Sequence, residues 1–216
     1  MNVLDTILAK NKAWAQGQKE VKLDYFTEIS KAQYPEILWV GCCDSRVSPS
    51  NITAAKPGEI FELRNIANQV KSGDPGLNAA MHFAINTLKV QHLFVTGHYE
   101  CGGIISVVEE GGLPKEMEPW LSPVVKYSEE YKDLLARLPS IKEKSQALIK
   151  INVIEQVRNF TLTNAVKKKW NEGSKLHVHG LVFNMYTGLL ESLDVCSSSF
   201  AEVEQKCEAA IKKIIG

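Results

Sequence analysis

The chain has 216 residues, enough for one α/β domain with a real core, and its 25 Lys plus Arg balance 25 Asp plus Glu. That balance supplies no overall field for nucleic acid or an anionic membrane surface, and no apolar run approaches the roughly 20 residues that span a bilayer. Five cysteines, at 42, 43, 101, 196 and 207, lack the dense spacing of a secreted disulfide scaffold, and adjacent cysteines such as Cys42 and Cys43 close only a strained ring. Residues 1–12 contain no Arg and do not read as a signal peptide or mitochondrial leader, so a reduced cytoplasm is the expected compartment.

Residues 2–15 carry Val3, Leu4, Ile7, Leu8 and Ala15 at helical spacing and predict an amphipathic helix. Composition leaves open whether this arm, taken as residues 1–30, packs on its own domain or over a second subunit; we expect it at a dimer interface. Residues 36–41 are rich in strand formers and end where Cys42 begins. A turn at Lys56-Pro57-Gly58 precedes a second strand at 60–63. Asp74-Pro75-Gly76 is a helix start, with Asp74 as N-cap and Leu77, Ala80, Met81, Ala84, Ile85 and Leu88 on the buried side. A third strand, 92–96, stops at Gly97-His98, and Cys101-Gly102-Gly103 should open a helix over 104–110, where the free N–H groups lower the thiol pKa.

Val124, Tyr127, Tyr131, Leu134 and Leu138 then share one helical face, and Ala147, Ile151, Ile154, Val157, Thr161 and Ala165 another. Strands are expected at 176–183 and 189–195, and a closing helix at 200–215. The pattern is that of one α/β domain, residues 1–216, with a central, mostly parallel sheet of four to five strands flanked by helices, plus the N-terminal helical arm. Cys196 and Cys207 read as packing residues, and His82, His92, His177 and His179 as structural histidines.

Two short stretches carry chemistry: Cys42-Cys43-Asp44-Ser45-Arg46 and His98-Tyr99-Glu100-Cys101-Gly102-Gly103. Together they offer two thiolates and an imidazole, a donor set suited to Zn2+, with no fourth Cys or His at ligand spacing. Three protein ligands and an open position are the arrangement of a catalytic zinc. Each stretch lies at the end of a predicted strand, where open α/β sheets place their sites.

With these motifs the chain resembles the β-class carbonic anhydrases over nearly its whole length. The resemblance is carried by C-C-D-S-R-V at 42–47, P-G-E-I-F-E-L-R-N-I-A-N at 57–68, L-K-V at 88–90, G-H-Y-E-C-G-G-I at 97–104, I-N-V-I-E-Q-V at 151–157 and H-G-L-V-F at 179–183. It implies one zinc per chain on Cys42, His98 and Cys101, with Cys43 not a ligand. It implies a catalytic dyad, Asp44 and Arg46, that orients a zinc-bound hydroxide for attack on CO2; in an inactive form of the family Asp44 would itself occupy the zinc. It further implies that Phe61, Ile66, Phe83 and the Gly102 N–H bind substrate, and that Gln33 reaches the substrate across the dimer interface. Thr87 stands where plant relatives carry a proton-shuttling His.

A second, weak bicarbonate site is implied at Trp39, Arg64 and Phe183, where some bacterial relatives have Tyr in place of the Phe. The expected activity is therefore reversible hydration of CO2 to bicarbonate by a cytoplasmic homodimer or dimer of dimers, with no nucleic-acid or membrane partner. Hydrolysis of CS2 or COS on the same zinc, and a non-catalytic bicarbonate sensor, are the alternatives. Intact Asp44 and Arg46 speak against the sensor, because a pure binder has no use for an oriented nucleophile.

Overall fold

Branched and aromatic residues make β1 (Ile37–Cys42), β2 (Ile60–Asn65), β3 (His92–His98), β4 (His177–Asn184) and β5 (Leu189–Ser192). They join in the order β2-β1-β3-β4-β5, the first four parallel and β5 antiparallel to β4. This is the five-stranded, mostly parallel sheet expected from sequence. The computed structural model describes residues 2–109 and 112–215, and the chain divides into two compact units, Met1–Tyr34 and Pro35–Gly216.

The first unit holds α1 (Val3–Val21) and α2 (Tyr25–Ile29). Asn2 caps α1 by accepting from the Asp5 N–H at 2.8 Å, and the helix runs six residues past its predicted end at 15. No residue of α1 is buried; Val3, Leu4, Ile7 and Leu8 are each more than half exposed.

In the second unit, β1 is followed by the short α3 (Pro49–Thr53) and β2 on one side, whereas β3 lies on the other. The strand order therefore reverses at β1, and the crevice of such a sheet opens beyond the carboxyl ends of β1 and β3. Pairing of Gly97 with Val182 and His98 with Phe183 carries β3 two residues beyond its predicted end, while β5 stops three residues short of its own. After β2, Ile66–Asn68 form a 3-10 turn in which Ala67 (φ 58°) and Asn68 (φ 49°) are left-handed.

Asp74 caps α4 (Pro75–His82) as the sequence suggests, its Oδ1 accepting from the Leu77 N–H at 2.6 Å. The helix continues as a π-helical turn, Phe83–Leu88. Helix α5 (Gly102–Val108) follows β3; the predicted end at Glu110 lies outside the described residues, as do Met1, Gly111 and Gly216. The helix expected around residues 124–138 is two, α6 (Glu118–Glu130) and α7 (Lys132–Arg137), because Tyr131 leaves helical geometry (φ −101°, ψ 20°).

Helix α8 (Ile141–Leu162) is capped by Ser140, and the pattern read through Ala165 breaks at Thr163. The Thr163 backbone is extended (ψ 141°) and its hydroxyl caps α9 (Asn164–Asn171). Helix α10 (Phe200–Ile215) ends the described chain.

The core lies between one sheet face and α8. Leu38, Val40, Leu93, Val95, Val178 and Val182 alternate toward it, against Ile149, Val153 and Val157. The approach is close enough to require glycine: a Cβ on Gly97 would lie 2.7 Å from Val153 Cγ2, and one on Gly180 2.7 Å from Val195 Cγ2. On the opposite face Trp39 stacks on Phe94 (6.0 Å), which stacks on His179 (4.3 Å).

His92, His177 and His179 cluster on that opposite face, His92 Nδ1 and His179 Nε2 being 3.0 Å apart. Burial, then the neighbouring His92 and His177, push His179 down to about 4. His82, by contrast, is exposed. Cys207 is fully buried, which pushes its thiol up to about 12, but Cys196 is exposed and is not the packing residue expected.

Candidate metal centre

The end of β1 delivers Cys42, the end of β3 delivers His98, and Cys101 is the N-cap of α5. All three are buried, at 6%, 1% and 2% exposure. Their ligand atoms lie within 4.8 Å of one another, with the two sulfurs 3.9 Å apart. Two sulfurs bound tetrahedrally at about 2.3 Å would stand roughly 3.8 Å apart, so the sulfurs need hardly move to share an ion. Cys43 is exposed and takes no part.

His98 carries the decisive detail. Its Nδ1–H donates to the Tyr99 carbonyl at 2.9 Å, which leaves the Nε2 lone pair turned toward the sulfurs, buried and without a partner. An orphaned buried nitrogen is costly unless something electrophilic meets it, and the carbonyl behind it is the usual orienting partner of a metal-bound imidazole. The thiols show the same incompleteness. A hydrogen bond from Cys101 pulls Cys42 well below the thiol range, against burial and with help from His98; the same bond and burial push Cys101 up. The lowering expected for Cys101 from the Gly103 and Ile104 N–H groups is thus overwhelmed. The pair shares one proton, and a divalent cation would release it. The residues fit a metal ion.

Asp44 faces this cluster. Both of its oxygens are held by Arg46: Oδ1 accepts from Nε and from the backbone N–H, each at 2.9 Å, and Oδ2 accepts from Nη2 at 2.7 Å. Arg46 holds the carboxyl down to about 2, against a modest rise from burial. Asp44 Oδ2 is also 3.8 Å from His98 Nε2, so the carboxylate stands beside the cluster while turned onto Arg46. The loop that presents it is fastened by Arg64, whose Nε donates to the Cys42 carbonyl (3.0 Å) and whose Nη2 donates to those of Asp44 (2.7 Å) and Val47 (2.9 Å).

Phe61 and Phe83 meet at 5.7 Å, and Phe83 and Ile66 are each about two-fifths exposed. Ile66 abuts Gly103, 3.0 Å from where a Cβ would stand, and its carbonyl accepts from Trp120 Nε1. Gly102, the first residue of α5, has open space around its Cα and an N–H with no acceptor in its own helix. Trp39 is buried on β1, and Phe183 is buried opposite His98 on β4. Gln33 is exposed in the first unit, and Thr87 is exposed in the π-helical turn.

Several residues that shape the site are not marked by donor chemistry, although they lie within the matched stretches 97–104 and 151–157. Asn152 and Gln156 of α8, fully buried, bond to the Ala67 carbonyl and the Val70 N–H and so hold the left-handed turn beside the metal cluster. Two polar residues four apart on an apolar helix face were the available hint. Glu100, between two ligand positions, is left-handed at φ 60°, with its carbonyl accepting from Arg46 Nη2 at 3.2 Å.

Residues 37–190 match the family profile described as carbonic anhydrase. A carbonic anhydrase of Emericella nidulans is 34% identical over 191 residues, covering 88% of this chain and 83% of that one. A solved β-carbonic anhydrase of Aspergillus fumigatus superposes with a TM-score of 0.85 at 31% identity, over 99% of each chain. A tetrameric β-carbonic anhydrase of Sordaria macrospora superposes with a TM-score of 0.87 at 29% identity, over 91% of this chain and all of that one.

Proposed function

The chain belongs to the β-class carbonic anhydrases, and from that membership and the metal cluster we propose that it holds one zinc ion on Cys42, His98 and Cys101 and interconverts CO2 and bicarbonate. The observation that carries this is the pairing of an unpartnered His98 Nε2 with an Asp44 carboxylate 3.8 Å away that Arg46 keeps ionised. Zinc held there supplies the Lewis acidity that makes water a nucleophile near neutral pH. The remaining roles belong to the protein.

Asp44, ionised and bonded through both oxygens, can only accept hydrogen bonds. A nucleophile in contact with it must donate a hydrogen bond to Asp44, keeping its proton, and so turns its lone pair the other way, toward CO2. Arg46 fixes the carboxylate in that attitude and is itself steadied by the Glu100 carbonyl. Phe61, which meets Phe83, and Ile66 would give CO2 an apolar approach, and the Gly102 N–H would donate to the bicarbonate that forms.

A homodimer, or a dimer of such dimers, completes the reading. The tetrameric relative and an α1 that has no buried residue support it. Gln33 would then reach the substrate from the partner subunit. The cytoplasm suits an enzyme that depends on reduced Cys42 and Cys101. A second bicarbonate site at Trp39, Arg64 and Phe183 would be weak, because Arg64 Nε and Nη2 are spent on three carbonyls and Phe183 offers no hydroxyl.

Stopped-flow CO2 hydration on protein of measured zinc content tests the proposal. One zinc per chain with hydration far above the buffer rate is expected. Protein that carries its zinc and leaves CO2 hydration at the buffer rate would refute it.

A further inference from the structure

Two phenol–carboxylate hydrogen bonds run in opposite directions between the metal loop and the β4–β5 hairpin. Tyr99 Oη donates to Glu191 Oε2 at 2.7 Å, and Tyr186 Oη donates to Glu100 Oε1 at 2.6 Å. Each side sends one phenol and receives one. Glu191 Oε1 also accepts from Asn184 Nδ2 at 2.8 Å, and Asn184 Oδ1 accepts from the Tyr186 N–H at 3.0 Å. The hairpin turn is thereby tied to the same carboxylate that holds Tyr99.

The segment gripped is His98-Tyr99-Glu100-Cys101, with a metal-ligand candidate at each end. Glu100 is left-handed, at φ 60°, a conformation that a residue with a Cβ keeps only when its surroundings hold it there. The Tyr99 carbonyl accepts from His98 Nδ1, and the Glu100 carbonyl accepts from Arg46 Nη2. Each gripped residue therefore presents its carbonyl to one working side chain, the ligand His98 or the dyad Arg46. Relaxation of Glu100 to negative φ would turn the Tyr99–Glu100 peptide and withdraw the carbonyl that orients His98.

We propose that Glu191 and Tyr186, with Asn184, are positioning residues: the hairpin clamps the metal loop and so sets the tenacity and geometry with which the site holds its ion. This rests on the metal assignment above. Packing is a poor account of Tyr186, which is 62% exposed and whose hydroxyl nevertheless makes one of the shortest bonds near the site. Glu191 cannot be exchanged for its amide without loss. Both of its oxygens accept from donors; a glutamine keeps one acceptor for Asn184 but must turn its NH2 toward the Tyr99 phenol, which replaces a short charge-assisted bond by a weaker, reversed one.

The test compares Tyr99→Phe, Glu191→Gln, their double variant and Tyr186→Phe in the full-length zinc protein. Three quantities are read: the rate of zinc transfer to a chromophoric chelator, the visible absorption of the cobalt-substituted protein, and the thermal midpoint of the zinc-free form. Losing an outer partner of a metal ligand weakens metal binding by about 10- to 100-fold. Acting one bond further out, Tyr99→Phe and Glu191→Gln should each speed transfer by about tenfold, the lower end of that range, and shift the cobalt bands. The double variant should do no more than either single one, since they share a bond. Tyr186→Phe, a surface change that leaves folding intact, should shift rate and spectrum in the same direction by less.

Transfer at the parental rate with an unchanged cobalt spectrum in every variant would overturn the clamp. So would faster transfer that merely tracks a lower thermal midpoint with the spectrum unmoved. A parental protein that holds no zinc overturns the metal assignment as well, so the two failures are told apart by parental zinc content.

Discussion

Asp44→Asn probes the proposed chemistry with the smallest change of shape. In the native site Oδ1 accepts twice and Oδ2 once from Arg46, all between 2.7 and 2.9 Å. An asparagine oxygen placed at Oδ1 keeps two of these bonds but sets an NH2 group against Arg46 Nη2, donor to donor. Flipping the amide keeps one bond and opposes two donors instead. Either way an obligate acceptor becomes a group that can also donate, so the proton of the attacking oxygen is no longer directed. An orienting or acid–base group contributes about 10²- to 10⁴-fold. The lower figure is appropriate here because the metal ligands and apolar walls remain, and 10²-fold corresponds to about 2.7 kcal/mol of barrier.

We therefore expect Asp44→Asn to keep its zinc and lose about 10²-fold in kcat/KM for CO2 hydration, measured by stopped flow against metal content. Because Arg46 holds Asp44 down to about 2, the native carboxylate stays ionised through the neutral range. Any fall in native activity between pH 8 and 6 therefore belongs to another group. A zinc-loaded variant with the parental kcat/KM would show that Asp44 does not orient the nucleophile.

Cys42→Ala or Cys101→Ala should lose metal and activity together, whereas Cys43→Ser, an exposed site, should keep both; metal analysis beside the hydration assay decides it. Gly180→Ala should destabilise by about 1–3 kcal/mol in urea unfolding, because its new methyl would meet Val195, Val153 and Val157 at 2.7, 3.1 and 3.2 Å. His179, held at about 4 in the folded protein against about 6.5 unfolded, makes the unfolded chain the tighter proton binder between those values. Its contribution to stability is complete above about pH 6.5 and fades as pH falls toward 4. His179→Phe, which keeps the stack on Phe94, should thus show a smaller drop in Tm from pH 7 to pH 5; an equal drop would place the acid sensitivity elsewhere.

Local features of the chain were legible because their causes are local. Apolar runs with turn residues between them marked five strands, Asp74-Pro75 marked a cap, and two motifs at strand ends marked the ligand set. The family resemblance added roles to the donor residues and alone pointed to Phe61, Ile66, Phe83, Gly102 and Gln33. The breaks at Tyr131 and Thr163 escaped because an unbroken apolar period continues through both, and only backbone geometry separates α6 from α7 and α8 from α9.

The rest was decided by contacts between residues far apart in the chain. Arg64 could be read from sequence as an anion binder, yet three carbonyls 17 to 22 residues earlier take up its guanidinium. The histidines of β3 and β4 become a cluster only when the sheet register sets His92 beside His177, and the metal loop meets its clamp only when β5 turns back along β4. A hydrogen bond between Tyr99 and Glu191 leaves no periodicity for a sequence to display, since its two ends are 92 residues apart and are joined by folding alone. Which side chains can supply the chemistry was written in the order of residues; which of them are held still enough to perform it depended on the packing of the sheet.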